Sequence, residues 1–158
     1  MNGKVHSINV SSGGVPKSRV GSAEIMKKGV EGDFNRVRDG MGGDTDRAVC
    51  IFSLEIIERL KYEGHPIEIG STGENLTIRG VEWDSLSEGA RLEIGDVVLE
   101  LSEPCAPCSK IGGSFIGRRF GRVDHDQEYG WSRWLARVLR EGRVSVGDSV
   151  NIVITPDQ

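Results

Sequence analysis

Glycine constrains this chain more than any other residue type. It fills 22 of 158 positions, about twice the usual share of about 7 %. Inside a helix each glycine costs about 1 kcal/mol relative to alanine, so a helical bundle is a poor solution. There is no G-X-Y period, and 5 prolines are too few for a low-complexity chain. The surplus suits the turns, bulges and close backbone approaches of a β-rich fold. Apolar residues make up 37 % and charged residues 28 %, which at this length predicts one domain, residues 1–158, around one core.

The local patterns agree. Strand-like runs occupy residues 5–10, 22–27, 47–52, 73–78 and 99–102. Ser53 is placed to cap a helix that runs to about Glu63, with Gly64 just past its end. Residues 91–98 and 143–150 share a pattern in which Gly-Asp separates two short strand-forming runs, a hairpin or tight-turn signal. Residues 131–140 read as a second helix. On that helix Arg133, Arg137 and Arg140 would share one face, at i, i+4 and i+7. Residues 29–45 form a polar, glycine-rich stretch of a length that usually carries function or stays unstructured.

Charge narrows the partners. The formal net charge is -4, whereas a general nucleic-acid binder is expected to be basic. Yet residues 105–143 hold eight basic and four acidic side chains, against 12 and 20 in the remainder. A local basic zone suits a small anionic ligand better than a polymer, or it is simply a solvated face. No run approaches the roughly 20 apolar residues of a membrane span, and no signal peptide opens the chain. The expectation is a cytoplasmic protein with reduced thiols and with neither a nucleic-acid nor a membrane partner.

Three cysteines are present. Cys105 and Cys108, flanked by Pro104 and Pro107, are the sharpest local feature. Four readings stand open. The pair could be half of a zinc site, completed from Cys50, His6, His65 or His125. It could be a thioredoxin-like dithiol, although no helix follows to lower a thiol pKa. It could be two small buried residues at a strand end. Or one thiolate could ligate a metal carried by a cofactor. Lys110 would favour that thiolate, and the following arginines would hold a phosphate tail.

The chain resembles a stand-alone MOSC domain, the family named after the C-terminal region of molybdenum cofactor sulfurase. The resemblance rests on Gly13-Gly14-Val15-Pro16-Lys17, Gly32-Asp33, Gly42-Gly43 with Asp46-Arg47-Ala48-Val49, and Gly73-Glu74-Asn75-Leu76. It continues through residues 92–96, Pro107-Cys108-Ser109-Lys110 and residues 142–150. It implies a mainly β fold, a MOSC-type β-barrel with a few short helices. It also implies binding of the molybdenum cofactor, a phosphorylated pterin whose dithiolene holds the metal. The family's key cysteine carries over to Cys108, as a thiolate ligand of molybdenum or as a sulfur carrier. Cys105 is secondary in that pattern.

The resemblance implies that Lys17 and Arg47, in glycine-flanked loops, line the pterin or phosphate pocket, and that Asn75, in the Gly-Glu-Asn-Leu turn, is a hydrogen-bond partner for the cofactor. Lys110, Arg133 and Arg137 join them as candidate anion contacts. Two departures stand out. Many relatives have histidine where this chain has Met41, and another shortly after Gly-Asp, where this chain has Asn35; neither residue shuttles protons. The functions implied are cofactor handling, delivery or sulfur transfer. The alternative is a molybdenum-dependent reductase of N-hydroxylated compounds that draws electrons from a separate donor. Molybdoenzymes, cofactor-biosynthesis proteins or electron-transfer proteins are then the expected partners. Pyridoxal phosphate is not expected, since the lysine it needs belongs to a domain this chain lacks. A zinc-stabilised binding module is the remaining alternative.

Overall fold

A computed structural model describes residues 2–34 and 43–154. Asn35, Met41 and Gly42 lie outside the described residues. Eleven strands are described: β1 (Asn2–Val10), β2 (Ser18–Val20), β3 (Ser22–Met26), β4 (Gly29–Val30), β5 (Val49–Ser53), β6 (Leu76–Arg79), β7 (Arg91–Ile94), β8 (Val97–Pro104), β9 (Trp134–Arg140), β10 (Gly142–Ser145) and β11 (Ser149–Val153). One α-helix, α1 (Leu54–Tyr62), joins β5 to β6, and short 3-10 turns fill several loops.

The large sheet runs β11-β7-β8-β9-β5-β6-β1-β2, and β11 also pairs with β1. Seven strands therefore close a barrel, and β2 flanks it. Closure is possible because β1 is long. Asn2, Gly3 and Lys4 pair with β11, while Ile8, Asn9 and Val10 pair with β2. Full closure leaves no barrel edge free for stray pairing. A second, three-stranded sheet has the order β10-β3-β4.

Burial follows the pleat. Along β7 and β11 exposed and buried residues alternate, so one face is wet and the other fills the barrel. By contrast β5 is buried throughout, because α1 covers its outer face with Ile56, Ile57 and Leu60. The barrel centre holds Ile8, Ile51, Leu76, Ile78, Leu92, Leu99 and Leu101, all fully buried on one face of the sheet, while Phe52, equally buried, lies on the other face of β5. The Ser53 hydroxyl accepts from the Ile56 amide at 3.2 Å and caps α1. Gly64 follows the helix at φ +100°, as a left-handed stop requires.

The structure corrects one reading and refines another. Residues 131–140 do not form a helix, because 134–140 are strand β9, sandwiched between β5 and β8. Both of its faces are covered, so the run is buried almost continuously and its apolar spacing fits either period. Arg133, Arg137 and Arg140 consequently share no helical face. The two Gly-Asp turns also differ. Gly95-Asp96 closes a true hairpin between β7 and β8. Gly147-Asp148 instead links β10 of the small sheet to β11 of the barrel.

Candidate functional site

Strand register gathers the site. One row of partners runs Pro104, Trp134, Ile51, Leu76 and Ile8 across β8, β9, β5, β6 and β1, so the end of β8 and the starts of β9 and β6 come side by side. The segments flanking that row carry Gly13 to Lys17, Arg47, Thr72-Gly73, Cys105 to Ile111, and Arg133. Together they line a cavity of about 530 Å³. A hollow of similar size lies at the opposite end of β1 and β6, lined in part by Arg79, Glu93 and Ser149, and it contains no cysteine.

Five expected residues meet in the first cavity: Lys17, Arg47, Cys108, Lys110 and Arg133. All three cysteines line it too, and among the described residues no carboxylate does. Two glycines give it shape. Gly14 sits at φ +75° with nothing within 4 Å of where a Cβ would be. Gly70 sits at φ +83°, and a Cβ there would stand 2.6 Å from the Lys17 carbonyl oxygen. Only glycine allows that approach, through which the Lys17 amide donates to the Gly70 carbonyl at 3.0 Å.

The cations differ in how they are held. Lys17 is buried and its ammonium contacts the Asp33 carboxylate at 2.5 Å. Arg47 meets Glu103 at 3.3 Å, and its Nε is buried with no partner among the described residues. Arg133 is only 6 % exposed. Its Nη1 donates to the Thr72 carbonyl at 2.6 Å, while its buried Nε has no partner among the described residues. A buried guanidinium needs compensating charge. Burial opposes the charge on Arg133, but Cys105, Cys50 and Glu74 outweigh it and push its pKa up.

Cys50 and Cys105 form a buried cluster with Leu135. The Cys50 thiol hydrogen-bonds to Cys105, which brings the Cys105 pKa down to about 6. Burial opposes that shift, and the charges of Arg133 and Arg47 favour it. Cys50 keeps its proton: the same hydrogen bond, then burial and the neighbouring Cys105 charge, raise its pKa well above the usual thiol value. Cys108 is exposed on the cavity rim.

Asn75 and Arg137 are not part of the lining. The Asn75 carboxamide is spent on backbone, its Oδ1 accepting from the Cys50 amide at 3.0 Å and its Nδ2 donating to the Asn9 carbonyl at 3.2 Å. It thereby fixes the stretch of β5 that presents Cys50. Arg137 is tied to Asp46 at 3.0 Å and Glu100 at 2.5 Å on the outside of the barrel. Beside Asn75, Glu74 is fully buried and accepts from the Gly70 amide and the Thr72 and Thr77 hydroxyls. Burial raises its pKa, and those hydrogen bonds hold it down in part.

None of the three histidines lines the cavity. His125 lies between the rings of Tyr129 and Trp134 instead. Among the described residues no three His, Cys, Asp or Glu side chains converge as a metal site, so the zinc reading lacks its further ligands. Nor, among them, is any helix long and apolar enough to cross a membrane. Sequence reasoning missed Cys50 as a wall residue and Thr72 as the Arg133 acceptor. Only the register of β5 against β9, which pairs Cys50 with Leu135, reveals the first.

Comparison with known proteins adds an independent line. The model of the MOSC domain family matches residues 35–151. The "Uncharacterized protein YflK" of Bacillus subtilis is 29 % identical over 142 residues, covering 89 % of this chain and 63 % of that protein. A "Reductase" of Gibberella moniliformis is 31 % identical over 133 residues, covering 81 % of this chain and 23 % of the relative. "Protein YiiM" of Escherichia coli is 25 % identical, with 84 % and 60 % covered. The chain thus spans less than two thirds of each of these relatives. Among solved structures, the YUAD protein of Bacillus subtilis superposes with TM-score 0.76 at 19 % identity, covering 96 % of both chains. YiiM of Geobacillus stearothermophilus gives TM-score 0.72 at 24 % identity, covering 96 % of this chain and 75 % of that one. At such identities these two likenesses speak for the fold alone.

Proposed function

This chain belongs to the MOSC domain family, and from that premise we propose that its cavity binds the molybdenum cofactor for handling, delivery or sulfur transfer. One observation carries the reading. Among the described residues, the cavity wall combines an exposed thiol, Cys108, with four cations and no carboxylate. Within it two buried guanidinium Nε atoms lack a partner among the described residues. Such orphaned donors cost free energy until an acceptor arrives. An anionic, oxygen-rich ligand supplies that acceptor, and a soft metal suits the thiolate.

In this reading Cys108 is the metal ligand, or the atom that carries sulfur. Arg133 and Arg47 offer their free Nε–H groups to the anionic end of the ligand. Lys110 adds charge at the rim. Lys17, pinned by Asp33, orders the Gly13-Gly14 loop beside the ligand more than it supplies free charge. The bound molybdenum would supply the two-electron redox chemistry.

A second reading, a molybdenum-dependent reductase with an external electron donor, draws on the Gibberella relative's name. The test begins with metal and pterin analysis of chain produced in a molybdenum-replete host. We expect molybdenum and pterin together, and loss of the molybdenum in Cys108→Ser. Equal loading of Cys108→Ser and the parent would refute the ligand assignment. One zinc per chain without pterin would sink both readings. Reduction of a benzamidoxime-type substrate with a supplied electron donor then separates reductase from carrier.

A further inference from the structure

We infer that Cys105 is a modification site for small hydroperoxides and that Cys50 resolves the oxidised product, closing a disulfide on the cavity wall. The inference needs no bound cofactor. Its basis is geometric. Cys50 is on β5 and Cys105 just follows β8, yet the two pack together against Leu135 and face one cavity. Arg133 lies beside them, buried, with an Nε–H that has no partner among the described residues. A thiolate next to a buried cation and a second thiol is the setting in which peroxide oxidation is selective and reversible. The low pKa of Cys105 agrees with this. Cys108 is exposed and outside that buried cluster.

The chemistry balances. The Cys105 thiolate attacks one oxygen of hydrogen peroxide, an S–O bond forms as the O–O bond breaks, and hydroxide departs and takes up a proton as water. Sulfur is oxidised by two electrons and the peroxide is reduced by two. The Cys50 thiol then attacks the sulfenic sulfur, an S–S bond forms, and the remaining oxygen leaves as a second water. The buried Arg133 guanidinium, which lines the same cavity, offers its charge to the departing oxygen in the first step. Cys105 lies just past the end of β8, in an irregular segment.

The full chain is treated with limiting hydrogen peroxide, quenched by alkylation and mapped without reduction. The expected result is the loss of two free thiols, a Cys50–Cys105 linked peptide, and Cys108 still alkylated. In Cys50→Ser, Cys105 should instead accumulate as a sulfenic acid trapped by dimedone. Linkage of Cys105 to Cys108, or reaction at Cys108 with Cys105 intact, overturns the proposal. A sulfenic acid that persists at Cys105 in the parent chain overturns the resolving role of Cys50. The parent map decides alone if the variant does not fold.

Discussion

At the scale of single residues, the two buried thiols titrate in opposite directions, and that has a consequence for stability. Cys105 is lowered to about 6 by the hydrogen bond from Cys50 and by Arg133, against burial. Its contribution is therefore present above the unfolded thiol pKa, about 8.5, and is lost as pH falls toward 6. Cys50 is raised by the same hydrogen bond and by burial. Its contribution is present below about 8.5 and is lost as pH rises further. The pair thus predicts a stability maximum near pH 8.5, which denaturant midpoints across pH 6–10 would reveal. Replacing both cysteines by alanine should flatten that feature, and an unchanged pH profile would contradict the coupling. The sequence disclosed little of this. Cys105 and Cys108 stand out because they are neighbours flanked by proline. Cys50 becomes the partner of Cys105 only through long-range strand register, which local spacing does not encode.

Among the elements, the helix and the strand that carry the site were not equally legible. Helix α1 announces itself by local chemistry alone: a serine cap, an apolar stripe and a terminal glycine. Ser53→Ala removes the hydroxyl that accepts from Ile56 and should cost about 1 kcal/mol. A lowered denaturant midpoint at constant slope is the check. The cap is fully buried at the junction with β5, so a neutral result would mean that another acceptor replaces it. Strand β9 has no such signature. Leu135, Val138 and Leu139 fit a helical stripe, while Trp134, Ala136 and Val138 fit a pleat, and only flanking strands on both sides decide between them. The misreading matters for function. A helix would have put Arg133 and Arg137 on one anion-binding face. In the strand, Arg133 enters the cavity at the rim. Arg137 lies further along the barrel, where Asp46 and Glu100 claim it.

For the whole molecule, the barrel converts scattered motifs into one cationic hollow on an acidic protein. The segments that resemble the family are far apart in sequence, and strand register brings them to one cavity. The net charge of -4 works against an anionic ligand at long range, so attraction must come from the cavity's own cations. This separates two arginines that composition treats alike. Arg47 lines the cavity with an Nε that has no partner among the described residues, and hydrogen bonds to charged groups are worth about 1.5–3 kcal/mol. Arg47→Gln should therefore weaken binding of a pterin phosphate ester by roughly tenfold or more. The loss should shrink only modestly as salt rises, because a partly buried contact is screened less than an exposed one. Arg137→Gln removes the same formal charge outside the cavity, from surface ion pairs that contribute about 0–1 kcal/mol each. Its effect on affinity should stay under about twofold at physiological salt, where the Debye length is about 8 Å. Titration calorimetry of both variants at two salt concentrations tests the contrast. Equal losses would mean that overall charge draws the anion, and would remove the cavity from the explanation. A selective loss in Arg47→Gln would place the anion against the cavity wall that the segments flanking β1, β5, β8 and β9 build together.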